Sequence, residues 1–175
     1  MNFIERPSRE RSFAWEDPKA LADAGRTMSG RAFLEGIRDG TLPAPPVAQM
    51  LGFTLDEVDD GRVALGMLPQ EFHFNPIGSV HGGIIATLLD SAMGLAVGSK
   101  LTAERGYTTL ELKVNYVRGV TVDTGRLRVT GHVVHLGRQT ALAEAHLMDA
   151  SGKLLSQASS TCLLFSFPSA QSKPS

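Results

Sequence analysis

The sequence predicts an α+β domain in which one helix, apolar on nearly every side, is wrapped by a curved antiparallel sheet of about six strands. Three observations predict it. From Ile84 to Val97 the residues are apolar at helical spacing all round, interrupted by a single carboxylate, Asp90, as in a helix buried on all faces rather than one lying on a surface. Two runs with strand character precede this helix and four follow it, most of the later ones alternating apolar and polar residues with period two. A sheet curled round the helix is the simplest way to hide all its faces.

In chain order, residues 1–46 are expected to form an arm with short helices, 47–167 the domain, and 168–175 a disordered tail. Within the arm, Asp17 to Met28 suggests at most a short helix, and Arg31 to Arg38 a second one closed by Gly40. Phe13 and Trp15 are candidates to pin the arm onto the body or a partner subunit. The proline-rich connector Leu42 to Pro46 leads into a short helix over Val47 to Leu51, with Pro46 suited to its first turn.

Phe53 to Val58 and Arg62 to Leu68 flank Asp59-Asp60-Gly61, a hairpin signal. The loop Gln70 to Val80 runs into the central helix, whose exit falls near Gly98 to Lys100. Tyr107 to Tyr116 then alternates, with Thr109, Glu111, Lys113 and Asn115 on one face and Leu110, Leu112, Val114 and Tyr116 on the other. Arg126 to Val134 and Thr140 to Met148 repeat the pattern, and Lys153 to Phe167 closes the sheet after the turn Asp149-Ala150-Ser151-Gly152. The outer face, carrying Glu111, Lys113, Arg128, Glu144 and His146, is expected to stay solvated.

Composition narrows the function classes. Lys and Arg number 17 against 18 Asp and Glu, for a net charge of −1, and the basic residues are scattered, which argues against nucleic acid. No run reaches the roughly 18 apolar residues that span a bilayer, and the stretch MNFIERPSRERSF lacks the apolar core of a secretory signal. The chain is therefore expected to be cytoplasmic, with no membrane partner. The single cysteine, Cys162, cannot form an internal disulfide and reads as a small buried hydrophobe in a strand. His132 and His135, three apart on a strand, fall on opposite faces, so no metal site is expected there.

Asp90 requires an explanation. An ionised carboxylate in an apolar helix costs several kcal/mol, on the order of the burial penalty, unless partners, water or a cavity receive it. It is therefore expected to face a cleft, and Ile85, Leu89, Met93 and Val97 on the same helix are expected to line an apolar cavity. Ahead of it, Gly82 and Gly83 stand at the helix N-terminus, where unpaired N–H groups carry partial positive charge and where a developing oxyanion is stabilised.

From about Val47 to Phe165 the chain resembles the hotdog-fold thioesterases of the phenylacetate-degradation and acyl-CoA thioesterase 13 type. The likeness rests on Asn75-x-x-Gly78-x-x-His81-Gly82-Gly83, on Asp90 nine positions after His81, and on Thr109-Leu110-Glu111-Leu112 with Tyr116-Val117-Arg118. Gly137-Arg138 and Asp149-x-x-Gly152 fit as well. The resemblance implies hydrolysis of acyl-CoA thioesters at a site shared between two subunits of a homodimer, which either stands alone or pairs into a dimer of dimers. Asp90 would act as general base or nucleophile. Asn75, His81 and Gly82 would come from the facing subunit: the Gly82 N–H as oxyanion donor, the His81 side chain near the thioester, Asn75 on the lytic water.

Thr109 stands where this group carries a hydroxyl that orients that water. Arg118 and Arg138 are candidates for the CoA phosphates, because a guanidinium fork matches phosphate oxygens. No cofactor is implied, coenzyme A being part of the substrate. A related branch places Glu as the carboxylate with Thr one turn later; here the carboxylate is Asp90 and position 94 is Gly, so that branch's details do not carry over. Two alternatives stand beside hydrolysis: a hydratase or dehydratase on enoyl or 3-hydroxyacyl thioesters, and a non-catalytic acyl-CoA binding module.

Overall fold

A computed structural model describes residues 8–167; the tail expected at 168–175 lies outside them. Three short helices come first. Helix α1 (Pro18–Thr27) opens on Asp17, whose carboxylate accepts from the Lys19 N–H at 2.9 Å, and α2 (Gly30–Arg38) opens on Ser29, whose hydroxyl accepts from Ala32 N–H at 3.4 Å. Helix α3 (Pro46–Leu51) ends at Gly52, which holds the left-handed conformation at φ 72°. The segment from Asp17 to Met28 is thus a helix of 10 residues, longer than the sequence suggests.

The domain follows as β1 (Phe53–Asp59), β2 (Arg62–Met67), α4 (Gly82–Ser99), β3 (Arg105–Tyr116), β4 (Leu127–Leu136), β5 (Thr140–Met148) and β6 (Leu154–Ser166). All six strands form one antiparallel sheet in the order β1-β2-β4-β5-β6-β3, so β1 and β3 are its edges. Helix α4 contacts every strand, the expected hotdog arrangement of two strands, one central helix and four strands. Ile85, Leu88, Leu89, Ala92, Met93, Ala96 and Val97 of α4 are buried against the sheet. The approach is closest at Gly131 of β4, where a Cβ would stand 2.3 Å from the Ala92 carbonyl oxygen. Only a residue without a side chain lets the helix backbone lie there.

The C-terminal half of α4 is fastened from two sides. The Ser99 hydroxyl accepts from Gly61 N–H at 2.8 Å and donates to the Ala96 carbonyl at 2.7 Å, tying the β1–β2 turn to the helix end. On the other side, Gly30 at the start of α2 donates its N–H to the Leu101 carbonyl at 2.9 Å, so close that a Cβ would meet the Gly98 carbonyl oxygen at 1.8 Å. The arm before α1 is held by arginines rather than by its aromatics. Arg11 donates to the Met50 and Gln49 carbonyls and its guanidinium lies 3.8 Å from the Phe72 ring centroid, while Phe13 and Trp15 face each other at 5.5 Å and stay exposed.

Two bulges change which side chains share a face. In β3, Thr109 pairs with Cys162 and Glu111 with Thr161, leaving Leu110 unpaired at the sheet edge. Regular alternation puts Thr109 outside with Glu111, Lys113 and Asn115; the bulge instead turns Tyr107 and Thr109 toward α4, on the same side as Leu112 and Val114. In β4, Val133 pairs with Ala143 and His135 with Leu142, leaving Val134 unpaired. His135 thereby joins His132 on the outer face instead of opposing it. Among the described residues no three His, Cys, Asp or Glu side chains are grouped to hold a metal ion.

Candidate active site

The sequence-predicted site residues on and around α4 fall into two clusters, one at its N-terminus and one at its middle. At the N-terminal end, His81 is the N-cap: its Nδ1 accepts from the Gly83 N–H at 2.9 Å, which leaves the proton on Nε2 pointing away from the helix. The Gly82 N–H has no hydrogen-bond partner among the described residues. Asn75 closes the preceding loop, its Oδ1 accepting from the Ile77 and Ser79 N–H groups at 3.1 and 3.2 Å and its Nδ2 donating to the Ser79 hydroxyl at 3.0 Å. Both Oδ1 lone pairs are thus occupied and one Nδ2 hydrogen remains.

Two further residues complete this end: Tyr116, which the motif includes without a role, and His73, which lies outside it. Tyr116, at the end of β3, donates its hydroxyl to the Gly82 carbonyl at 2.9 Å and lays its ring against Gly82, where a Cβ would come within 3.3 Å. His73 is buried beneath the loop: its Nδ1 accepts from Gln70 N–H at 3.0 Å, its Nε2 donates to the Leu51 carbonyl at 2.9 Å, and its own carbonyl accepts from His81 N–H at 2.8 Å. Burial pushes its pKa below the usual histidine value, with the Leu51 bond opposing.

The second cluster is Asp90 with Thr109. The Thr109 hydroxyl donates to Asp90 Oδ1 at 2.9 Å, a charge-assisted bond that fixes the carboxylate and leaves Oδ2 for another donor. Asp90 is half-buried, as expected of a carboxylate in an apolar helix, and opens on a cavity of about 410 Å³. The cavity lies between α4, β1, Tyr107 of β3 and the α2–α3 segment, with Ser91, Gly94, Leu95, Ala48 and Phe53 among its walls. Ile85, Leu89, Met93 and Val97 do not line it. They are at most 3% exposed: residues 90, 91, 94 and 95 share one side of the helix, Ile85, Leu89 and Met93 are turned away from it, and Val97, two turns after Asp90, is buried in the core.

Position 94 is glycine for a local reason. The Tyr107 ring packs across α4 so closely that a Cβ on Gly94 would stand 2.8 Å from Cε2, and one on Gly98 3.0 Å from Cε1. Packed there, the half-buried Tyr107 has its hydroxyl pKa pushed far above the usual phenol value, by loss of solvent first and then by Cys162 and Asp90 nearby. The hydroxyl is neutral at any working pH. Cys162, fully buried, pairs with Thr109 across β3 and β6, and burial raises its thiol pKa.

The two clusters do not meet within one chain. Gly82 and Asp90 are eight residues apart on one helix, about 12 Å along its axis. Arg118 and Arg138 are not brought together either. Arg118 follows Tyr116 and donates to the Leu154 carbonyl at 2.5 Å, whereas the Arg138 carbonyl accepts from Arg105 at the opposite end of β3, roughly 35 Å away along the strand.

Comparison with known proteins supports the fold and the family. Residues 77–156 match the family model of the thioesterase superfamily. The chain is 33% identical over 106 residues to acyl-coenzyme A thioesterase 13 of Homo sapiens, an alignment covering 59% of this chain and 74% of that protein. It is 22% identical over 107 residues to 1,4-dihydroxy-2-naphthoyl-CoA hydrolase of Listeria monocytogenes, covering 61% and 85%. Among solved structures, a thioesterase family protein from Silicibacter pomeroyi superposes with a TM-score of 0.68 at 27% identity, covering 76% of this chain and 98% of its own. A thioesterase from Haemophilus influenzae, at 18% identity and a TM-score of 0.70 over 79% of this chain and 94% of its own, shares the fold. The chain belongs to the thioesterase superfamily of hotdog proteins.

Proposed function

We propose that the protein hydrolyses acyl-CoA thioesters to a free acid and coenzyme A. The observation that carries this reading is the bond from Thr109 to Asp90 at the mouth of an apolar cavity. It gives an oriented carboxylate with one free oxygen beside space for an acyl group. Such a group serves as base toward a water, or attacks the thioester carbonyl itself, with the thiolate of CoA leaving. The relatives named as acting on CoA thioesters support the substrate class.

The oxyanion donor must stand within about 3 Å of the same carbonyl oxygen, and 12 Å along one helix forbids Gly82 from serving Asp90 of its own chain. The reading therefore joins two copies. Strand β3 is an open sheet edge of 12 residues, and an unprotected edge of that length pairs readily with another strand. Antiparallel pairing of two β3 edges, centred between Leu112 and Lys113, sets Thr109 opposite the partner's Tyr116. That brings the unpartnered Gly82 N–H and the His81 Nε2–H of one copy to the Asp90 cavity of the other. Asn75 shapes the loop that presents them and has one Nδ2 hydrogen left for water.

Thiol release from a panel of aryl and straight-chain acyl-CoA thioesters tests the proposal. Wild-type protein is expected to turn over at least one class, and Asp90→Asn to lose turnover while keeping its melting temperature and oligomeric state. Full activity in Asp90→Asn would refute the assigned role. Addition of water to an enoyl-CoA, with no thiol released from any substrate, would transfer the site to hydration chemistry.

A further inference from the structure

A second cavity of about 430 Å³, open to solvent, lies beyond Tyr107, bordered by α1, α2, the end of α4 and the adjoining ends of β3 and β6. Its walls are mostly apolar, with Leu21, Phe33, Leu34, Leu101 and Phe165 among them. Two guanidinium groups also line it, Arg26 from α1 and Arg105 from the first residue of β3. Neither forms an ion pair among the described residues. Arg105 donates one Nη2 hydrogen to the Arg138 carbonyl at 3.1 Å, but its Nε–H is buried with no acceptor. Arg26 rests 5.2 Å from the Phe167 ring centroid, a contact that leaves its in-plane N–H donors unused.

The Arg105 Nε is closed off even from water, so the donors open to an occupant are the free Nη1 hydrogens of Arg105 and those of Arg26. An occupant must satisfy two demands at once. It has to present planar acceptor oxygens to a guanidinium fork, and it has to cover the leucine and phenylalanine walls that take up most of the cavity. Neither water nor an inorganic anion does the second.

We propose that this cavity is a binding site for an apolar monocarboxylate, its oxygens on Arg105 and Arg26 and its hydrocarbon body among Leu21, Phe33 and Leu34. A free acid is the product of thioester hydrolysis, so on the function proposed above the protein makes a ligand for its own second site; the binding itself does not depend on that reading. Leu95 and Tyr107 line both cavities. An occupant of the second therefore presses on the wall of the first.

Calorimetric titration of the full-length protein with octanoate and with octanol tests the site without any turnover. Octanoate is expected to bind once per chain, and octanol, equal in length but uncharged, about ten-fold or more weakly, the loss of a charge-assisted hydrogen bond. Arg105→Gln and Arg26→Gln are each expected to weaken octanoate to a similar degree, and Arg26, exposed on α1, keeps the test open if the Arg105 variant fails to fold. Equal affinity for octanol, or full retention of octanoate by the arginine variants, overturns the proposal. The second outcome would put the acid in the Asp90 cavity instead. Since acyl-CoA turnover is measured separately, failure of either idea leaves the other intact.

Discussion

Thr109 and Asp90 are joined across β3 and α4 by a 2.9 Å hydrogen bond that exists because β3 is bulged at Leu110. The hydroxyl does not merely neighbour the carboxylate; it consumes one of its oxygens and sets the plane of the other. Thr109→Val keeps the shape and removes the donor, and is expected to lower kcat roughly ten- to hundred-fold with little change in KM. Thr109→Ser should restore most of it. Steady-state thiol release by the three proteins checks this, and an unchanged kcat in the valine variant would reduce Thr109 to a packing residue.

Tyr116 holds the first turn of α4 through the Gly82 carbonyl. Tyr116→Phe removes only that hydroxyl, and about half of the side chain is exposed (53%), so stability should move by about 1 kcal/mol or less. If the Gly82 N–H is the oxyanion donor as proposed, activity should fall further than stability, about five- to ten-fold in kcat, because a misplaced donor forfeits part of the roughly 10²- to 10³-fold such a group supplies. Parallel melting and kinetic measurements separate the two effects.

Gly131 is the place where helix and sheet touch backbone to backbone. Gly131→Ala puts a methyl group 2.3 Å from the Ala92 carbonyl oxygen, and no side chain can swing aside to relieve it. A loss of about 3 kcal/mol is expected, or roughly 10 °C in Tm for a domain of this size. Thermal unfolding followed by circular dichroism reads it directly.

His73 gives stability a pH dependence whose sign follows from burial. The fold favours the neutral ring, so the folded pKa lies below the roughly 6.5 of an unfolded histidine. The unfolded chain takes up the proton first as pH falls, and stability present above about pH 6.5 is lost below it. The positive charge of Arg11 nearby acts in the same direction. Melting temperatures measured between pH 7.5 and 5.5 should decline in the wild type and flatten in His73→Gln, which starts from a lower Tm because the Leu51 carbonyl loses its partner.

The fold was legible because its signals are periodic. An all-round apolar helix with a lone acid leaves few arrangements open, and the order of two strands, a helix and four strands follows from alternation and turn residues alone. Alternation also caused the misreadings. An unpaired Leu110 or Val134 has no compositional mark, so alternation assigns Thr109 and His135 to the wrong faces, while the family likeness still marks Thr109 as a site residue. Ile85, Leu89, Met93 and Val97 were misplaced for a different reason: on a helix that is apolar everywhere, hydrophobicity cannot tell the side that meets a cavity from the side that meets the sheet. Tyr116 and His73 act through backbone carbonyls, a role that any strand or loop residue of their kind can fill, so although the family likeness includes Tyr116, only the folded geometry shows what either residue does.

The Asp90 cavity draws part of its wall from the stretch between Ile37 and Gln49, which belongs neither to the sheet nor to α4. On the proposed function, the reacting carboxylate and the surface that selects what reaches it are therefore separable in inheritance. Replacement of the helices and connector ahead of Phe53 can retune acyl preference while the chemical apparatus stays as it is, which makes this short stretch the natural target for recombination between relatives of different substrate range.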